Sequence, residues 1–95
     1  MPRVEFTKSV SGSVRDEVYE LHINNEERQA LSFDDNDKAS ATLDPATWTL
    51  DIEFAGNPGS AVSYVIDDGT EEQKRRVKIP DGEYSVDTFR EFDVQ

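Results

Sequence analysis

Two acidic clusters hold the residues best equipped for chemistry on their own. Asp34-Asp35-Asn36-Asp37 concentrates carboxylate and amide oxygens in four consecutive positions, the donor set that a hard cation such as calcium takes. The spacing does not suit an EF-hand loop, which needs oxygen ligands at alternate positions, a glycine at the sixth and a glutamate at the twelfth. Counted from Asp34, the fifth and sixth positions are Lys38 and Ala39, so a solvated loop is expected and no metal site is assigned. Asp67, Asp68, Glu71 and Glu72 form a second acidic turn around Gly69, with the same expectation. As a surface, Asp34, Asp35, Asp37, Asp67, Asp68, Glu71 and Glu72 are candidate contacts for a cationic protein partner.

Lys74-Arg75-Arg76-Val77-Lys78 carries four of the ten positive charges of the chain. On a strand, Lys74, Arg76 and Lys78 share one face, where they could hold an anion or an acidic partner. The plainer expectation is pairing with carboxylates on neighbouring strands, each pair contributing about 0.2–1 kcal/mol. No aromatic residues interleave these charges to stack on bases, and the field of the remaining chain repels phosphates, so nucleic-acid binding is not expected.

His22 is the single histidine, which rules out multi-histidine metal sites and leaves any triad one possible base. Ser32, Ser40, Ser60, Ser63 and Ser85 lie in no Gly-x-Ser-x-Gly elbow, and neither a Gly-x-Gly-x-x-Gly nor a P-loop sequence occurs. The absence of cysteine removes disulfides, thiolate nucleophiles and sulfur-ligated metals together. The expectation is a protein with no cofactor and no catalytic activity.

The charge balance points the same way. With 21 acidic against 10 basic residues in 95, the formal net charge is -11, which repels nucleic acids and anionic lipid and attracts cationic surfaces. Met1-Pro2-Arg3-Val4-Glu5-Phe6 lacks the apolar run of about 7–15 residues of a signal peptide, and no segment approaches the roughly 18 apolar residues of a membrane span. A cytoplasmic protein that contacts no membrane is expected. The same charge excess also fits adaptation to high salt, with four lysines and no cysteine.

The elements that must carry these residues are strands. Residues 47–54 alternate without a break, Trp48, Leu50, Ile52 and Phe54 on one face and Thr47, Thr49, Asp51 and Glu53 on the other, which predicts a strand with Trp48 in the core. Asp44-Pro45 precedes it and Ala55-Gly56-Asn57-Pro58-Gly59 turns the chain afterwards. Residues 61–66 and 74–79 then form a hairpin across Asp68-Gly69, with Val62, Tyr64, Ile66, Val77 and Ile79 inward. Beyond Pro80-Asp81-Gly82, residues 83–94 put Tyr84, Val86, Phe92 and Val94 in one parity. Thr88 and Arg90 interrupt it, which predicts a bulge there with Phe89 crossing to the other side.

In the N-terminal half, Val4 and Phe6 mark a first strand, Tyr19, Leu21 and Ile23 a second, Ala30 to Phe33 a third, and Ala39, Ala41 and Leu43 a fourth. Residues 13–22 also admit a helix, since Ser13-Val14-Arg15-Asp16 matches a capping box and Val14, Val18 and Leu21 keep helical spacing.

Pro80-Asp81-Gly82-Glu83-Tyr84-Ser85-Val86 resembles the Pro-x-Gly-x-Tyr-x-Val strand entry of bacterial immunoglobulin-like and prealbumin-like sandwich modules, over about eight residues, and Pro45 to Asp51 echoes it faintly. The expected fold is one all-β domain over 1–95, a small antiparallel β-sandwich of about 7–8 strands, immunoglobulin-like or prealbumin-like. The alternative is α+β with one short helix near residues 13–22. The expected function is a non-catalytic interaction module with a cationic protein partner. The alternatives are an acidic inhibitor or immunity-type protein, a nucleic-acid mimic being one form of it, and a salt-adapted domain.

Overall fold

A computed structural model describes residues 3–23, 26 and 28–95. Among these residues the chain forms β1 (Arg3–Ser11), β2 (Val14–His22), β3 (Gln29–Ala30), β4 (Lys38–Thr42), β5 (Ala46–Gly56), β6 (Ala61–Asp67), β7 (Glu72–Lys78) and β8 (Ser85–Val94). They make two four-stranded sheets, β4-β1-β6-β7 and β3-β2-β5-β8, in which every pairing is antiparallel. The domain is a β-sandwich with no helix among the described residues, so none there is long and apolar enough to cross a membrane.

Strand alternation builds the core. Val4 and Phe6 of β1 and Val62, Tyr64 and Ile66 of β6 face Leu21 of β2, Leu50, Ile52 and Phe54 of β5, and Phe92 and Val94 of β8, all buried. Phe6 meets Phe92 edge-on across the two sheets, ring centroids 6.0 Å apart, a favoured aromatic geometry. The chain passes from β1 to β2 through a tight arch at Gly12, whose φ of 86° suits glycine. Ser13 N–H donates to the Oγ of buried Ser60 at 3.1 Å, tying this arch to the start of β6.

The helix alternative for residues 13–22 is corrected by a bulge. In β2, Arg15 pairs with Ala55 but Val18 pairs with Glu53, so Asp16 and Glu17 together oppose Phe54 alone. Asp16 takes the left-handed conformation at φ 55°, which aspartate tolerates better than most residues. The inserted residue shifts the parity: Val14, Tyr19 and Leu21 face the core while Val18 is exposed. Extra-residue parity, read without the bulge, is what imitated a helical period.

The bulge also aims Glu17 at the sandwich interior, where Lys8 of β1 breaks the apolar run Val4, Phe6. Lys8 Nζ donates to Glu17 Oε1 at 2.7 Å and the Tyr19 hydroxyl donates to the same oxygen at 2.7 Å. The ammonium lies 5.5 Å from the Tyr19 ring centroid and 5.3 Å from that of Phe33, with Asp37 Oδ1 at 3.7 Å. This clasp joins the two sheets through a charge that is only 10% exposed. Burial raises the Glu17 carboxyl pKa, but the Lys8 and Tyr19 hydrogen bonds and the Lys8 charge outweigh it, leaving the pKa below its ordinary value. Burial, and then the Glu17 carboxylate, push the Tyr19 phenol upward.

Other expectations change as well. The third strand is Gln29–Ala30 alone, Leu31 being buried beyond it. No bulge interrupts residues 88–90, because β8 pairs with β5 residue by residue from Ser85↔Ala55 to Val94↔Ala46. Phe89 projects outward by simple alternation, and Arg90 shares the inner face with Phe92. Tyr84 precedes β8 and is exposed, not inward. Trp48 is half-buried at the margin of the core, its indole N–H donating to the Asp44 carbonyl at 2.9 Å.

Candidate protein interface

The outer face of the β3-β2-β5-β8 sheet collects the residues of opposite parity to the core. Cross-strand pairing sets Glu20 beside Asp51 and Asp51 beside Phe89, then Val18 beside Glu53 and Glu53 beside Asp87. His22, Thr49 and Glu91 form the adjoining row. Phe89 is 57% exposed and Val18 43% exposed, so two apolar side chains stand among carboxylates on one face. Arg28 donates to Asp51 Oδ2 and lies 3.5 Å from Glu20 Oε1, which partly neutralises one end of the face.

The acids there are crowded. Asp51 is buried and its Oδ1 accepts no hydrogen bond among the described residues. Asp87 has a raised pKa, first because its protonated form can hydrogen-bond to Asp51, then through burial and the charges of Asp51 and Glu53, with Arg28 opposing. Like charges that raise the Asp87 pKa are relieved by an incoming cation.

The acidic turns predicted as contacts sit elsewhere. Asp34 closes the turn before β4: its Oδ1 accepts from the N–H groups of Asn36 at 2.8 Å and Lys38 at 3.0 Å. Asp35 is exposed in that turn, and Asp37, at φ 60°, faces Lys8. In the β6–β7 hairpin, Asp67 Oδ1 accepts from Gly69 N–H at 2.8 Å, and Asp68 Oδ1 accepts from Thr70 at 2.8 Å and Glu71 at 2.9 Å. Those last two bonds hold the Asp68 pKa below its ordinary value. Glu71 is exposed, and Glu72 pairs with Asp67 at the start of β7. The turns flank β1 on opposite sides and at different levels, one beside Lys8 and the other beside Glu5, so the structure does not join them into one patch. No described group of three or more His, Asp or Glu residues is arranged to hold a metal ion.

The basic run behaves differently from its plainer expectation. On the outer face of the other sheet, Lys74 stands beside Val65, Arg76 beside Ser63 and Lys78 beside Ala61, so pairing supplies no carboxylate. Among the described residues no acid lies within 4 Å of Lys74, Arg75, Arg76 or Lys78. Thr7, Ser9, Ser63, Val65, Lys74 and Arg76 line a shallow open trough of about 410 Å³. The sandwich is therefore polarised, with acids and Phe89 on one broad face and a small-residue trough edged by cations on the other.

Arg75 has the opposite parity. It pairs with Tyr64 and so occupies the inner face, at the margin between the edge strands β7 and β8. Arg90 approaches the same margin from the inner face of β8. Tyr64 is 3% exposed and its hydroxyl has no hydrogen-bond partner among the described residues, an omission that usually costs about 1–3 kcal/mol. Burial raises the Tyr64 pKa, while the nearby Arg90 and Arg75 guanidiniums pull it back.

Sequence reasoning did not find the acidic face or the Tyr64 margin, because both depend on which strands become neighbours. The available signals were the isolated outward Phe89 and the inward arginine of β7. Comparison with protein-family models, curated proteins and solved structures returned no match.

Proposed function

We infer that this domain is a non-catalytic interaction module that engages a cationic protein surface through the outer face of β2, β5 and β8. The observation that carries the reading is Phe89, exposed on the edge strand β8 opposite Asp51, between Asp87 and Glu91 and diagonal to Glu53. An aromatic side chain offers a large rigid anchor to a partner pocket, and the surrounding acids choose a partner of opposite charge. The crowding around Asp87 adds a driving force, since a basic partner relieves a repulsion that the free protein contains. An acidic inhibitor of a basic enzyme is the narrower form of this reading, with the same face covering the enzyme's cationic surface. Cytoplasmic residence belongs to the same proposal.

A random peptide library displayed on phage tests the reading directly. Panning against the folded domain should enrich basic sequences containing an apolar residue, and their binding should fail on F89S and weaken on D87N/E53Q. Enrichment of acidic peptides, or binding that ignores Phe89, would overturn the assignment.

A further inference from the structure

The margin between β7 and β8 has an unused donor set. Two guanidiniums arrive from different sheets, Arg75 opposite Tyr64 and Arg90 opposite Leu50, and both lie on the inner face. Neither has a carboxylate within 4 Å among the described residues. Arg75 donates one bond to the Lys74 carbonyl at 2.8 Å, which steadies its side chain and leaves its other N–H groups available. Behind them is the hydroxyl of Tyr64, buried and without a hydrogen-bond partner among the described residues. In a chain with a net charge of -11, two adjacent unpaired arginines beside an unsatisfied buried donor call for a ligand that supplies negative oxygen.

We propose that the β7–β8 margin binds a small oxyanion, clamped by the Arg75 and Arg90 guanidiniums and accepting a hydrogen bond from the Tyr64 hydroxyl. Guanidinium groups match the planar oxygen pairs of carboxylates and the tetrahedral oxygens of phosphate, with short charge-assisted bonds. The phenol supplies a neutral donor whose bond is strengthened by the low-dielectric surroundings. Because the two arginines belong to different sheets, the ligand also bridges the sheets at this margin. A free anion and an anionic group carried on a partner, such as a chain-terminal carboxylate, share this chemistry. The site is independent of the acidic face around Phe89.

The test is an NMR titration of the labelled domain with sodium phosphate and, separately, sodium acetate, at ionic strength held constant with sodium chloride. Saturable shifts are expected at the Arg75 and Arg90 side-chain N–H groups and the Tyr64 amide, in phosphate, acetate or both; the arm that saturates identifies the preferred oxygen geometry. R75Q and R90Q should each weaken binding about tenfold or more, the size expected for losing a charge-assisted contact. Y64F separates a ligand role from a structural one. It should weaken binding several-fold without lowering the urea midpoint, because among the described residues the hydroxyl it removes makes no hydrogen bond of normal geometry. Shifts no larger than those in chloride alone, saturation centred on Lys74, Arg76 and Lys78 instead, or Y64F binding at full affinity would each overturn the proposal.

Discussion

Replacing Lys8 by methionine removes the charge of the inter-sheet clasp while keeping most of its alkyl length. The lost hydrogen bond to the Glu17 carboxylate is of the charge-assisted kind, worth about 1.5–3 kcal/mol. Contacts of the ammonium with the Tyr19 and Phe33 rings add about 0.5–1 kcal/mol each. Two effects oppose these. Methionine retains the packing of the stem, and the burial penalty of the ammonium disappears. Glu17, a quarter exposed and still accepting from Tyr19, regains some hydration. The net expectation for K8M is a loss of about 2–3 kcal/mol at pH 7, near the upper half of ordinary single substitutions. Urea unfolding followed by Trp48 fluorescence reads this as a lower midpoint with an unchanged slope. E17Q alone should cost less, and the double variant should show a coupling of about 1–2 kcal/mol, as directly contacting residues do. The pH dependence has a fixed sign. Because the folded Glu17 pKa lies below its ordinary 4.5, its contribution is present above that value and is lost as pH falls through the folded pKa. A K8M midpoint corresponding to less than about 0.5 kcal/mol, the scale of uninvolved surface changes, or strictly additive K8M and E17Q effects, would refute the clasp.

The remaining expectations concern the bulge, the core margin and the acidic face. D16G should be neutral or mildly stabilising and D16V should cost about 1–2 kcal/mol, since only the branched residue resists the left-handed angle; a helix at 13–22 would give the opposite order. W48A should cost about 2–3 kcal/mol, less than a fully buried aromatic, with an emission maximum between those of buried and free tryptophan. D87N should stabilise by up to about 0.5 kcal/mol at neutral pH by relieving cross-strand repulsion. For the raised Asp87 pKa, stability associated with protonation is gained as pH falls through the folded value, opposite in sign to Glu17, and carboxyl NMR titration measures both.

The regular strands were legible because their signal is local. The alternation of residues 47–54 gives β5 directly, and Val62, Tyr64 and Ile66 give β6 in the same way. What failed was the helical alternative at residues 13–22: one left-handed aspartate shifts the parity of β2 between Val14 and Tyr19, and Val18, which shared the helical spacing of Val14 and Leu21, faces water. Trp48 shares the inner parity of Leu50 and Ile52 yet lies near the end of β5, where the layers stop covering it. Strand pairing was invisible for a related reason. Nothing local in Lys74, Arg76 and Lys78 says that their neighbours are Val65, Ser63 and Ala61 instead of acids. The acidic turns stood out by composition, but Asp34, Asp67 and Asp68 use their carboxylates to close the backbone. The acids around Phe89 are spread over β2, β5 and β8, and no single stretch of chain displays them.

The interface reading rests on one face, and photo-crosslinking from that face tests it most directly. A benzophenone amino acid in place of Phe89, introduced into the full chain and illuminated in extracts of cells that make the protein, should capture a basic protein. Capture should fall steeply as KCl rises, because exposed charges beyond about 8 Å are screened at physiological ionic strength. The same group in place of Ser9, on the opposite sheet, should capture nothing in common with it. Identical adducts from both positions, or an acidic partner captured at position 89 without salt dependence, would contradict the account.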